Sequence, residues 1–251
     1  TAEAADVVLP ATSWGETDGS FANTERRVQR VRAAVSPQGD SRPDWWVISR
    51  LARRMGLKGF DYDSASEIFN ELCSVSPIYA GLDWELAASG KYQWPVPYKG
   101  HPGTPILHRD EFLNGRGLFS VLNYRDPAEI IDGEFPVWLT TGRRLQAYHT
   151  RTQTGRAQGI DYLLSEESLE VHPEDLIEWS LQDGDWCQLS SRRGSIRIRI
   201  KSTRKSPRGT VFSSFSFNDV PINVLTGSGY DPITETAELK VCPVRVEPLA
   251  P

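Results

Sequence analysis

Cysteine is scarce in this sequence and poorly spaced for metal work. Cys73, Cys187 and Cys242 are the three cysteines in 251 residues, and no Cys-x-x-Cys pair exists. Neither a zinc ribbon nor a cysteine-ligated iron–sulfur cluster can therefore be assembled from this chain, and no metal ligand set is expected in it. Cys187 and Cys242 lie inside apolar runs, where a free thiol acts as a small buried hydrophobe. No apolar run approaches the roughly 20 residues that a bilayer-spanning helix requires, so no membrane span is expected. Basic residues are not in surplus: the net charge is −5, which argues against a broad phosphate-backbone interface and so against a nucleic-acid partner. A phosphate-cradling P-loop, a nucleophile elbow and a metalloprotease helix are all missing. Methionine occurs once, at Met55, and the first residue is Thr1. With no cationic-then-apolar leader, the sequence reads as part of a longer or split subunit, and its location is expected to be cytoplasmic.

What is present has two textures. Apolar residues at 39% and charged residues at 24% suffice for a globular core. Ala5 to Pro10 reads as a buried strand reaching a turn. Asp44 to Met55 reads as a helix, with Val47, Ile48, Leu51, Ala52 and Met55 on one apolar face. Ser41 and Pro43 mark its start and Gly56 its end. A second helix begins at Ser64, where Ser64 and Glu67 form a capping box, and Ile68, Phe69 and Leu72 would supply its buried stripe. Residues 93–105 carry four prolines, which remove donors and fix φ, so this stretch is a connection pinned by Trp94. The texture changes after Asp132-Gly133, and the domain boundary is placed near residue 133. Strands are expected over Phe135–Thr141, Gly184–Ser190, Ser195–Ser202, Gly209–Phe217 and Leu239–Glu247, with a short helix at Pro173–Glu178. In Ser195 to Lys201, isoleucines alternate with cations, which fits a sheet with one solvated face. Several short strands around one short helix suggest a small closed barrel.

Three constellations carry candidate chemistry. Thr140-Thr141-Gly142-Arg143-Arg144 follows a strand, and hydroxyls, a glycine and guanidinium groups together suit a phosphate, as they also suit a turn with surface ion pairs. Tyr148 to Arg156 packs hydroxyls, an imidazole, an amide and two arginines into nine residues without apolar periodicity. Such a loop can donate many hydrogen bonds to a ligand rich in phosphate and heteroatoms. With no nucleophile or carboxylate at motif spacing, His149 is read as a hydrogen-bond donor rather than a general base. The third constellation runs from Asn223 to Gly227 and from Asp231 to Lys240, where Asn223 can present donor and acceptor to a heterocycle edge and Lys240 offers a point charge. Glu16, Asn23, Glu25, Arg26 and Arg27 form a charged cluster, read as an ion-paired seam between domains.

In order along the chain, these segments resemble the molybdopterin oxidoreductases of the dimethyl-sulfoxide-reductase family, and within it the formate dehydrogenase catalytic subunits. The resemblance is carried by Ala5 to Pro10 with Trp14-Gly15-Glu16 and Glu25-Arg26-Arg27, and by Gln93-Trp94-Pro95. It continues through Thr141-Gly142-Arg143 with His149 to Gly155, His172-Pro173-Glu174-Asp175, Asp183-Gly184-Asp185 and Ser191 to Gly194. The tail, from Asn223 through Asp231-Pro232-Ile233, Glu238-Leu239-Lys240 and Val244 to Pro248, is similar to formate dehydrogenases in particular.

The resemblance implies a mixed α/β N-terminal segment over 1–133, the end of the larger α/β domain plus a connection. A double-psi-type six-stranded β-barrel over 134–251 would then bind molybdopterin guanine dinucleotide. Gly142, Arg143, His149, Thr150, Thr152 and Thr154 would line the cofactor from one side, and Phe215, Asn223 and Lys240 from the other. The cofactor implied is a bis-molybdopterin guanine dinucleotide carrying molybdenum or tungsten, with an iron–sulfur cluster and the catalytic residues in the upstream part of the subunit and none of them here. The implied partners are the N-terminal part of the same subunit, electron-transfer subunits and formate as substrate. The same fold in a nitrate-reductase-like molybdoenzyme and a non-catalytic assembly barrel are the alternatives. Two departures from the family pattern stand out: Ser216, where many relatives have His, and Ser180, where a Gly is frequent.

Overall fold

The computed structural model describes residues 2–249. The chain forms two compact units that divide between Ser120 and Val121, so residues 121–133 belong with the β-rich unit.

In the first unit, a hairpin pairs β1 (Gly19–Ala22) with β2 (Val28–Val31). Three helices follow: α1 (Asp44–Arg54), α2 (Ala65–Val75) and α3 (Trp84–Ala88). Val28, Phe69, Cys73, Leu82, Ala87 and Val96 make the core, flanked by Trp84 and Trp94. The helix ends follow from the sequence. Ser64 Oγ accepts from the Glu67 amide at 3.3 Å, while the Glu67 carboxylate reaches one residue further back, to the Asp63 amide at 2.9 Å. At the end of α1, Gly56 adopts φ +80°. The amides of Gly56 and Leu57 close onto the carbonyls of Arg53 and Ala52, a left-handed helix stop that glycine takes without steric cost.

Four expectations in this unit are corrected. Residues 5–10 form no strand, and Val7, Val8 and Leu9 are exposed at 74%, 57% and 59%. Ile48 and Leu51 of α1 and its C-cap Met55 are also exposed, because the helix turns Ser49 and Ala52 inward instead. On α2 the inward residues are Phe69 and Cys73, and Leu72 stays open to solvent. The charged cluster is not an ion-paired seam. Arg26 donates to the carbonyls of Trp94 and Pro105, and Arg27 to those of Gly90 and Lys91. Its one ion pair among the described residues is the exposed contact between Arg27 and Glu25. The arginines thus tie the proline-rich connection to the hairpin of the same unit. Trp94 pins that connection as expected, stacking edge-on to Tyr79 and lying beneath Arg26.

The second unit is a closed six-stranded barrel with strands in both directions, as the barrel expectation has it. Its strands are β3 (Val137–Gly142), β4 (Ser168–Val171), β5 (Trp186–Ser191), β6 (Gly194–Ser202), β7 (Thr210–Ser214) and β8 (Cys242–Pro248), in the spatial order β3-β7-β4-β6-β5-β8. Strand pairs β3/β7 and β4/β6 are parallel, and the remaining pairs are antiparallel. Two short helices interrupt the strands, α4 (Gln158–Leu163) and α5 (Pro173–Glu178). The alternation in β6 decides its facing: Ile196, Ile198 and Ile200 are buried, while Arg197, Arg199 and Lys201 are exposed. Each isoleucine taken out of water contributes on the order of 2 kcal/mol. Leu139, Leu169, Leu189, Val211 and Val244 complete the interior, and Ile222 and Leu225 from the segment after β7 plug it. Strand β4 was missing from the sequence reading, because Ser168-Leu169-Glu170-Val171 is only four residues long.

Helix α5 ends at Glu178 with Trp179 as its C-cap, and Ser180 follows at φ +58°. The Ser180 and Leu181 amides bond the carbonyls of Ile177 and Leu176, with Leu176 and Leu181 both buried. This is the glycine-favouring left-handed stop, held here by a serine. All three cysteines are free and buried, and burial pushes the Cys187 thiol up to about 12. No helix is long and apolar enough to cross a membrane among the described residues.

Candidate functional site

The parallel pairing of β3 with β7 places Gly142 opposite Ser214, both at the carboxyl ends of their strands. Residues 143–157 and 215–225 therefore leave the barrel side by side. Arg143, one residue past β3, holds its guanidinium 5.9 Å from the Phe215 ring, one residue past β7. The His149 ring lies 6.5 Å from that same ring, with Tyr148 edge-on to His149 at 4.8 Å. Two residues further along both loops, Arg151 sits 4.0 Å over the Phe217 ring. Arginines from one loop thus rest on aromatics of the other, a cation–π arrangement that orients the guanidinium groups.

The structure therefore brings Arg143, His149 and Phe215 together. Gly142 is buried beside them, and a Cβ there would lie 2.6 Å from Phe212 Cε2. Its lack of a side chain makes room for the Phe212 ring. Lys240 joins from the third segment: its Nζ donates to the Thr141 carbonyl at 2.8 Å, and Thr141 Oγ1 donates to the Leu239 carbonyl at 2.5 Å. Thr150 and Thr152 line a recess with Arg151, Arg156 and Ser216. Thr154 Oγ1 accepts from the Tyr148 amide at 3.2 Å, which closes the loop on itself. Asn223 stands apart, in the one-turn helix Ile222–Val224, where its carbonyl accepts from Thr226 Oγ1 at 3.0 Å. Its side chain is exposed and has no hydrogen bond to Arg143, His149 or Phe215 among the described residues.

His149 and Arg151 both adopt left-handed backbone conformations, φ +48° and +58°. Side chains rarely take this region, and such residues cluster at ligand sites. Ser213 and Ser216 are fully buried, yet each hydroxyl lacks a hydrogen-bond partner. Buried polar groups are almost always paired, so both hydroxyls are exceptions within this fold.

The motif Thr140 to Arg144 holds two adjacent arginines, of which the family resemblance assigns Arg143 to the cofactor; the structure sends the two in different directions. Arg144 turns inward to Glu167 Oε1 at 3.0 Å and to Glu170. Burial by itself would lower the Arg144 pKa, but the hydrogen bonds to Glu170 and Glu167 outweigh it and raise the value. Ser214 Oγ donates to the other Glu167 oxygen, beneath the start of the Phe215 loop. Glu167 was not singled out, because Glu166-Glu167 reads locally as an exposed acidic pair and the arginine that buries one of them is 23 residues away. Ser213 gives no local signal either.

Among the described residues, no group of three or more His, Cys, Asp or Glu side chains is gathered to hold a metal ion.

Two family matches follow the same division. Residues 137–243 match the family described as Molydopterin dinucleotide binding domain, and residues 1–54 match Molybdopterin oxidoreductase. The chain belongs to the molybdopterin oxidoreductases. Among its relatives within that family, an F420-dependent formate dehydrogenase 2 subunit alpha from Methanococcus maripaludis is 44% identical over 98% of this chain. Formate dehydrogenase H from Escherichia coli is 33% identical over 100% of it, and a nitrate reductase from Symbiobacterium thermophilum 34% over 98%. This molybdopterin oxidoreductase chain spans 37%, 36% and 36% of the length of those three relatives. Acetylene hydratase from Pelobacter acetylenicus shares the fold, with a TM-score of 0.73 over 99% of this chain and 39% of its own, at 18% identity.

Proposed function

We propose that this chain is the cofactor-binding C-terminal part of a formate dehydrogenase catalytic subunit that uses a bis-molybdopterin guanine dinucleotide with molybdenum or tungsten. The observation that carries the reading is the convergence of Arg143, His149 and Phe215 at the paired ends of β3 and β7, inside the segment matched to a dinucleotide-binding domain. The 44% identity to a formate dehydrogenase alpha subunit supports formate as substrate. Residues 1–133 would close the larger α/β domain and supply the connection, and 134–251 would be the binding barrel.

Arg143 and His149, with Thr150, Thr152 and Thr154, would hold the cofactor from the first loop. Phe215 would offer a ring face, Asn223 an amide for the guanine edge and Lys240 a positive charge. When bound, the metal–pterin group supplies a two-electron redox centre, through which formate becomes carbon dioxide, a proton and two electrons. The role of these residues is orientation and electrostatics. The catalytic groups, an iron–sulfur cluster and contacts to electron-transfer subunits would lie upstream, and this piece by itself would be inactive.

In the complete subunit, acid denaturation should release guanine nucleotide together with molybdenum or tungsten. Asn223→Ala should lower the nucleotide retained, and unchanged retention would count against the assigned site. The nitrate reductase relative at 34% identity supports a second reading, in which the same barrel serves nitrate. Dye reduction with formate against dye oxidation with nitrate separates the two.

A further inference from the structure

We infer that Glu167 is a positioning residue for the cofactor, an inference that deepens the cofactor-binding reading and rests on it. Through Arg144 and Ser214 it fixes the spacing between the loop after β3 and the loop after β7.

The strand order makes this possible, because β7 lies between β3 and β4 in the barrel. Arg144, two residues past β3, crosses β7 on the Phe212 ring, with its guanidinium 5.2 Å from the ring centre. Its Nη2 then donates to Glu167 Oε1 at 3.0 Å and to the Ser168 carbonyl at 3.2 Å, while Nη1 donates to Glu170. One side chain thus straps the end of β3 to the start of β4. Glu170 lies opposite Phe212 in the β4/β7 pairing, so the ring beneath the guanidinium and the carboxylate at its edge are held in register.

The second link comes from β7 itself. Ser214, its last residue, donates from Oγ to the other Glu167 oxygen and accepts from the Ser216 amide at 3.2 Å. The Glu167 side chain has no exposed surface and also accepts from the Ser168 amide at 3.0 Å. Both loops that carry site residues are therefore tied to one buried carboxylate. Arg143 immediately precedes the strap and Phe215 immediately follows the link, and these are the residues that meet at 5.9 Å.

Stability does not account for the arrangement. A buried ion pair gains little over apolar residues of the same volume, because desolvation of both charges offsets their attraction. What apolar packing would not supply is direction. A forked guanidinium on two carboxylates fixes angle as well as distance. A ligand held by groups from two loops needs that precision, since contacts loosen as soon as the supporting shell lets the loops drift.

The test uses the complete subunit loaded with cofactor, and the full 251-residue chain. In the subunit, acid release at timed intervals follows how fast guanine nucleotide is lost. In the chain, NMR reads the ring-current shifts that Phe215 and Phe217 impose on the side-chain protons of Arg143 and Arg151. Ser214→Ala cuts the link to β7 and leaves Arg144 paired. Arg144→Lys keeps the charge but cannot fork to both carboxylates. Each should lose nucleotide about tenfold faster, the worth of one hydrogen bond to a charged group, with the ring-current shifts reduced. Melting temperature falls under either role, whereas a purely structural pair leaves both readouts at the parent's values while the fold persists. Ser214→Ala removes a single oxygen and carries the test where Arg144→Lys fails to fold. The inference is overturned if a folded variant loses nucleotide at the parent's rate, or loses it faster with the ring-current shifts unmoved. A parent subunit that yields no guanine nucleotide overturns the cofactor reading, and this inference falls with it.

Discussion

Lys240 and Thr141 stand 99 positions apart in the chain, and Nζ of the one donates to the carbonyl oxygen of the other at 2.8 Å. Thr141 answers through its own hydroxyl, which donates to the Leu239 carbonyl. Together the two bonds hold the last loop of the barrel against the end of β3, beside Gly142 and Arg143.

Lys240→Met keeps the length of the side chain and removes both the tie and the charge. Because Lys240 is exposed, the stability loss should be about 1 kcal/mol or less. Retention of guanine nucleotide in the complete subunit should fall. A lowered melting temperature with undiminished retention would restrict Lys240 to a structural tie.

Arg144→Met leaves the buried Glu167 carboxylate without its guanidinium partner. Breaking a buried pair from one side costs about 3–5 kcal/mol, and urea unfolding should show it as a lowered midpoint at unchanged slope. Adding Glu167→Gln should recover part of the loss. A single variant as stable as the parent would show that the pair contributes nothing.

Hydrogen bonding to Arg193 is the leading cause that holds the Glu129 carboxyl below its ordinary 4.5, aided by the nearby Arg192 charge and opposed by partial burial. Arg193 Nη2 lies 3.0 Å from Glu129 Oε2. A depressed folded pKa means stability that is fully present above the unfolded value and lost as pH falls through the folded one. The gap in unfolding free energy between the parent and Glu129→Gln should therefore be constant above about pH 5 and shrink as pH falls below 4.5. A gap that ignores pH would remove this ion pair from the stability of the barrel.

Ser180 occupies a left-handed stop, with φ +58°. Ser180→Gly should stabilise the chain by about 1 kcal/mol, since the strain belongs to the side chain. Calorimetry reads this as a raised melting temperature; a lowered one would mean that the gain in unfolded-chain entropy wins.

Much of the fold was legible because its signals are short-ranged. The alternation of Ile196, Ile198 and Ile200 with cations decided the facing of β6. Pro173 with Glu178 bounded α5, and Ser64 and Gly56 marked helix ends. The burial of α1 was misread because an apolar stripe says which face is oily, not whether a neighbour covers it. Ile48, Leu51 and Met55 make a convincing stripe, yet Ser49 and Ala52 are the residues that turn inward.

The sequence by itself determined the two textures, the barrel with its alternating strands, and the crowding of polar groups in the loop from Tyr148 to Arg156. Only the tertiary structure decided what each of two adjacent arginines touches. Arg143 reaches Phe215, while Arg144 is claimed by Glu167 and Glu170. It also decided that Ser214 is braced while Ser216 is left without a partner. The physical reason is range. Periodicity and capping act within a few residues of chain, whereas the partner of a buried polar group is chosen by strand pairing across tens of residues, and no local pattern records that choice.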